Sequence, residues 1–275
     1  YTNGTSNYRY ISSTKYIDVV VLSLFIVLGT CGNMFILLTI LTNSTLRKLE
    51  NVFIINLAIA DILMTAYVEP LTFVATITEE YLAQGEWCKV TIYVTVCSCG
   101  MSILSMASIA VNRYVYTCKY HKYHHFFNRR TVTMIVLISW LWILLGCLPM
   151  VLGCFKVGFS RNSGTCCFYP RTNIVYSVLV VVFGILLPAG VAFFSYLMIY
   201  WILRKHKRQQ IETSDECQNT VPPSQRKNST REYLAFFVVY IFFILLWGPS
   251  GVGCLVSSFV TISPILYKVG LWLGY

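Results

Sequence analysis

The sequence predicts an all-α fold, a bundle of seven membrane-crossing helices, and three observations support this. Hydrophobic residues make up 56% of the 275 and charged residues only 12%, about half the charged share of a soluble domain. Mean hydropathy is +0.65. Nearly uninterrupted apolar runs occupy 17–41, 52–77, 89–111, 132–153, 174–203, 234–260 and 262–275, and the first six each exceed the roughly 20 residues a helix needs to cross a bilayer core. The runs are long and do not alternate, so helices that satisfy their own backbone hydrogen bonds are expected in place of barrel strands. The chain begins without methionine and ends inside the seventh run. It is therefore expected to lack flanking segments, with the seventh helix truncated. Residues 1–275 form a single membrane domain on this reading.

Prolines at Pro70, Pro149, Pro188 and Pro249 lie within the runs. Membrane helices tolerate them where neighbours accept the freed carbonyls, so several spans are expected to bend. Loop charge sets the orientation. Arg47, Lys48, Lys119, Lys122, Arg129, Arg130, Arg204, Lys205, Lys207, Arg208, Arg226, Lys227 and Arg231 fall on one side, against Arg9, Lys15, Lys89, Lys156, Arg161, Arg171 and Lys268 on the other. The positive-inside bias makes the first group cytoplasmic and the 16 N-terminal residues extracellular. The net charge of +10 then reflects contact with inner-leaflet lipid, and nucleic acid is a poor explanation for it. The 204–231 segment, rich in Lys, Arg, Gln, Ser and Pro, has too little apolar content to pack and is expected to be a flexible third cytoplasmic loop.

With that topology, Asn3 is the one Asn-x-Ser/Thr site facing outside and the expected glycosylation site, because Asn43 and Asn228 fall in cytoplasmic loops. Most of the eleven cysteines lie within spans, where a thiol is a small apolar packer. Cys88 at the outer mouth of the third span, with Cys166 and Cys167 in the second outer loop, occupies an oxidising location that permits a disulfide.

Charges within spans are rare, which makes Asp61, Glu69 and Arg113 functional candidates. Asp61 lies mid-span, with Asn33, Asn56 and Ser102 at comparable depths of the first three spans. These oxygen-bearing side chains can hold a sodium ion or waters around the carboxylate, or form a hydrogen-bond knot without an ion. No other cofactor and no metal centre is expected. Glu69 sits about 12 Å nearer the outside at helical rise, facing an outer cavity or reaching to the interface. Arg113 ends the third span on the cytoplasmic side, where its stem stays in the bundle while its fork reaches carbonyls or a partner.

The order of these residues resembles the rhodopsin-like G-protein-coupled receptors over essentially the whole chain. The likeness rests on Asn33 in "GN", Asp61 in "NLAIAD", Cys88, "NRY" at 112–114, Trp140, Pro188 with Tyr196 eight residues on, "FFILLWGP" with Phe243, Trp247 and Pro249, and the ending "LWLGY". It implies a receptor, not an enzyme, in the plasma membrane, that binds a small diffusible ligand outside and a heterotrimeric G protein inside. It also implies that Cys88 pairs with Cys166. Asn112, Arg113 and Tyr114 would form the coupling motif, with Arg113 turning toward Tyr196 on activation. Ile103, Pro188 and Phe243 would form the connector, and Trp247 the aromatic switch beneath the ligand. Where the wider family usually has an acid, this chain has Asn112, so Arg113 lacks an adjacent carboxylate. A loosely held switch with appreciable basal activity is expected.

Within that family, "LRKLENVFIINLAIADILMTAYVEPL", "IAVNRYVYTC" and "VVVFGILLP" are similar to melatonin receptors, which implies an inhibitory G protein. Thr95 stands where amine receptors carry aspartate, which argues against a biogenic amine. The ligand contacts implied by the resemblance are altered. Met150 matches a span-four asparagine, Gly184 a span-five histidine and Pro170 an outer-loop glutamine, whereas Phe168 agrees with the stacking phenylalanine. With Glu69, Thr95, Trp247, Gly251 and Tyr275 these positions outline the expected pocket, for a ligand other than melatonin. A peptide receptor is the alternative, drawn by the acidic rim of Glu79, Glu80 and Glu86. An opsin is disfavoured because Lys268 falls about two turns outside the retinal position, which Tyr275 occupies, and a transporter because the halves show no inverted repeat.

Overall fold

The computed structural model describes residues 3–78, 85–160, 165–169, 172–212 and 234–245, with isolated positions at 248, 252, 253 and 256. Among them five helices are long and apolar enough to cross a membrane, Lys15–Thr42, Leu49–Thr78, Glu86–Cys118, Arg129–Val151 and Ile174–Lys205, and a shorter apolar helix covers Leu234–Leu245. The run at 262–275 lies outside the described residues.

The first helix, α1 (Asn3–Thr42), starts well before its apolar run. No proline separates 3–16 from that run, so the intrahelical ladder simply continues outward. The second span is α2 (Val52–Leu63), one π turn at Met64–Val68, and α3 (Glu69–Thr78). The fifth repeats the pattern with α7 (Ile174–Val181), a π turn at Val182–Leu186 and α8 (Leu187–Glu212). Both π turns come just before a proline, Pro70 or Pro188. The missing N–H and the ring's clash with the carbonyl four residues back widen the ladder there. The α8 helix continues past 204, where the third loop was expected to begin, because Arg, Lys and Gln are good helix formers.

The third span, α4 (Glu86–Cys118), begins at Gly85, whose φ of 62° suits glycine. The short helix α5 (Tyr120–Phe126) follows. The fourth span, α6 (Arg129–Val151), is capped by Asn128, whose side chain accepts from the Thr131 N–H at 3.0 Å. Around the break at Pro149, the Tyr93 hydroxyl donates to the Leu144 carbonyl at 2.9 Å and Tyr176 to the Gly146 carbonyl. Both flank Leu145, whose carbonyl loses its helical donor to the proline. Among the described residues the one departure from an all-α fold is a hairpin of β1 (Val157–Ser160) and β2 (Thr165–Phe168), antiparallel with Val157 opposite Phe168 and Phe159 opposite Cys166. The helix Leu234–Leu245 is α9.

The bundle is organised around α4, whose apolar window is 61% buried against 6% for that of α1. It packs on the second, fourth and fifth spans. Small residues allow the close crossings that lipid-embedded helices depend on. A Cβ on Gly100 would stand 2.8 Å from Ile143 Cδ1, and one on Gly29 2.5 Å from Thr65 Cγ2.

Candidate functional site

At the outer end, Cys88 and Cys166 form a disulfide with Cα atoms 5.5 Å apart, joining the hairpin to the start of α4. Strand neighbours point to opposite faces, so Cys166 faces the helix while the buried Cys167 lies on the far side. Below it, the pocket candidates are dispersed. Thr95 donates its hydroxyl to the Thr91 carbonyl of its own helix at 2.8 Å. Met150 is completely buried, and Gly184 sits in the π turn with open space where a Cβ would stand. Glu69 is buried in the bundle, which removes the reading in which it reaches to the interface, and its Oε2 has no hydrogen-bond partner among the described residues. Phe168 lies at the end of β2. Pro170, Trp247, Pro249, Gly251 and Tyr275 fall outside the described residues, as do Glu79, Glu80 and Lys268.

Halfway along the spans, the expected four-residue polar network divides in three. Ser102 donates to Asp61 Oδ1 at 2.7 Å. Asn33 instead turns its amide to the Gly29 carbonyl one turn back, at 2.9 Å, a partner its own helix always supplies. Asn56 donates to Ser105 at 2.7 Å and accepts from Trp140 Nε1 at 2.8 Å, tying together the second, third and fourth spans. Asn56 is only 4% exposed, so Asn56→Ala leaves the part-buried Trp140 indole N–H without its partner, at a cost of about 1 kcal/mol. A clearly lower Tm of the solubilised protein is expected, and an unchanged Tm would contradict the bridge.

At the other end of α4, the candidate residues are closely connected. Asn112, 2% exposed, donates to the Tyr123 hydroxyl at 3.2 Å. Tyr123 itself is buried against Phe127, its ring stacked at 5.4 Å, and Phe127 meets Phe53 edge-on at 6.3 Å. This burial raises the Tyr123 phenol above its ordinary pKa, so it keeps its proton. Arg113 Nη1 pairs with Glu50 Oε2 at 3.2 Å and its guanidinium lies 5.2 Å from the Phe236 ring centre. Beside it, Tyr114 packs on a buried cluster of Ala110, Tyr196, Ile199 and Tyr240. Tyr196 meets the Phe237 ring at 5.5 Å and the Tyr240 ring at 5.7 Å, and the Tyr240 hydroxyl donates to the Ala189 carbonyl at 2.8 Å. Ile103 and Pro188 are buried higher in α4 and α8, and Phe243 is half-buried on α9.

Glu50 and Tyr123 were not singled out by sequence reasoning. Glu50 is 63 residues from Arg113 in a loop where a carboxylate reads as solvated. The one available signal was an acid at the very start of a span, next to the inner leaflet.

A bundle of membrane-crossing helices whose third span carries a buried Asn112 with half-buried Arg113 and Tyr114 at one end and a disulfide at the other defines a membrane receptor class. The sequence model of the family described as "7 transmembrane receptor (rhodopsin family)" matches residues 32–275, and the chain belongs to that family. It is 30% identical over 224 residues to melatonin receptor type 1B-A of Danio rerio, covering 81% of this chain and 75% of that protein. It is 31% identical over 221 residues to melatonin receptor type 1B of Homo sapiens, covering 79% of this chain and 58% of that protein. Squid rhodopsin has the same fold, with a TM-score of 0.82 at 20% identity over 95% of this chain and 78% of that one.

Proposed function

We propose that this chain is a ligand-activated receptor that passes an extracellular binding event to a heterotrimeric G protein at the cytoplasmic face. The observation that carries this reading is the position of Arg113, held between Glu50 and Phe236 beside the Tyr196–Phe237–Tyr240 stack. To turn toward Tyr196, Arg113 must leave Glu50, and the sixth span must shift because it contributes Phe236, Phe237 and Tyr240. An agonist that binds the opened form more tightly moves the population that way, and the opened inner end accepts the partner. The receptor performs no chemistry itself; nucleotide exchange takes place on the G protein. Likeness to melatonin receptors favours the inhibitory type, membership of the receptor family a plasma-membrane location, and the loop charge an extracellular N-terminus with glycosylated Asn3. Asp61 and Ser102 supply two adjacent hard-oxygen donors suited to a sodium ion.

The ligand is a small, largely apolar molecule, and it is not melatonin. Met150 and Gly184 offer no hydrogen bond of the kind the resemblance implies at their positions, and Pro170 carries no amide side chain. Each lost buried hydrogen bond costs about 1 to 3 kcal/mol, so two or three losses lower affinity by hundreds-fold or more. The test is a small-molecule screen, melatonin included, on the full-length receptor reconstituted with purified G proteins of each class. The expected result is faster nucleotide exchange on the inhibitory class with a ligand other than melatonin. Exchange on no class, or a full response to nanomolar melatonin, would contradict the proposal.

A further inference from the structure

We infer that Glu50 is the acid that holds Arg113 in the resting receptor, taking the place left vacant by Asn112. The inference rests on the receptor reading of Arg113 given above. It revises the expectation of a loosely held switch, because that expectation required Arg113 to have no carboxylate at hand.

Four features carry it. The pair is close, Nη1 to Oε2 at 3.2 Å, and its side chains are only 12% and 20% exposed. Solvent and salt therefore screen it less than an open surface pair. The neighbouring Asn112 is already engaged, its amide donating to Tyr123 in the second cytoplasmic loop. The two adjacent residues thus divide the work: the amide fastens the second loop and the guanidinium reaches the first. Glu50 also lies in the turn Leu49–Asn51 just before α2, where the positive end of a helix favours a carboxylate. A carboxylate is favoured at that helix end whether or not Arg113 is paired, so the contact can break and re-form. Finally, Phe236 covers the guanidinium from α9. Arg113 is thus bound at once to the base of the second span and to the sixth.

The position of the acid changes what the ion pair does. An acid next to Arg113 in sequence restrains only its rotamer on α4. Glu50 comes from a different span, so its pair with Arg113 clamps the inner ends of the second and third spans, and Arg113 cannot swing to Tyr196 while the clamp is closed. Basal activity is then set by a residue at the base of the second span.

The test compares wild type, Glu50→Gln and Glu50→Asp in the full-length receptor, measuring two quantities without ligand. The first is amide hydrogen exchange over 234–245, which needs no G protein; the second is basal nucleotide exchange on the inhibitory G protein. Glu50→Gln is expected to speed both, with basal nucleotide exchange rising on the order of threefold to tenfold. Glu50→Asp, which keeps the charge on a shorter stem, is expected to fall between. If Glu50→Gln leaves hydrogen exchange over 234–245 unchanged, the inference is overturned, whatever nucleotide exchange does. If hydrogen exchange rises while no G protein responds in any variant, the clamp stands and the G-protein reading of the site fails.

Discussion

Cys166→Ser is expected to lower the thermal stability of the receptor sharply, whereas Cys167→Ser is not. The Cys88–Cys166 bond closes a loop across a sequence separation of 78. Loop-closure entropy for such a length corresponds to about 4 to 5 kcal/mol, and losing a native disulfide of this kind typically costs about 2 to 5 kcal/mol. Both sulfurs are buried, with Cys88 packed among Ala75 and Ile92, so the bond also fixes the hairpin over the outer mouth of the third span. Cys167 lies on the other face of β2 and takes no part in the bond. Melting of the solubilised protein, with and without reductant, tests this. Cys166→Ser should melt early and be insensitive to reductant, while wild type and Cys167→Ser should share a higher Tm that reductant lowers. Equal losses for the two serine variants would mean that the bond does not have the stated pairing.

Length and hydropathy made the spans legible. The run expected at 52–77 became Leu49–Thr78, the run at 132–153 became Arg129–Val151, and the run at 174–203 became Ile174–Lys205. A helix must cover the bilayer core whatever it packs against, so apolar length alone reports it. Rotation and partner choice are different. Asn33 and Asn56 lie at the right depth for Asp61, yet one bonds Gly29 in its own helix and the other Trp140 in the fourth span. Depth follows from position along the sequence; azimuth around the helix axis depends on how neighbouring helices interlock. The same limit hid Glu50, whose partner is 63 residues away, whereas the two π turns were missed because a proline can equally kink a helix without widening it. The disulfide and the Asn-Arg-Tyr motif were legible because their resemblance to a known receptor pattern supplied the pairing that spacing alone leaves open.

The second large effect concerns Arg113. Its guanidinium joins Glu50 and Phe236, and no other side chain type provides a planar, permanently charged fork on so long a stem. On the proposed function, alanine removes the resting clamp and the active-state contact together. The two losses would act in opposite directions on the population, but only the second is needed by the partner, so coupling is expected to be lost even though the bundle is freed to open. Lysine keeps the charge without the fork and should rescue little. Folding is not expected to suffer comparably, because the Asn112–Tyr123 and Asn56–Trp140 ties remain.

The most direct measurement is therefore nucleotide exchange on the inhibitory G protein by reconstituted wild type and Arg113→Ala, at equal amounts of folded receptor verified by Tm. The receptor account predicts that wild type accelerates exchange and that Arg113→Ala reduces it to the receptor-free rate with its Tm nearly unchanged. Exchange by Arg113→Ala at the wild-type rate would contradict it.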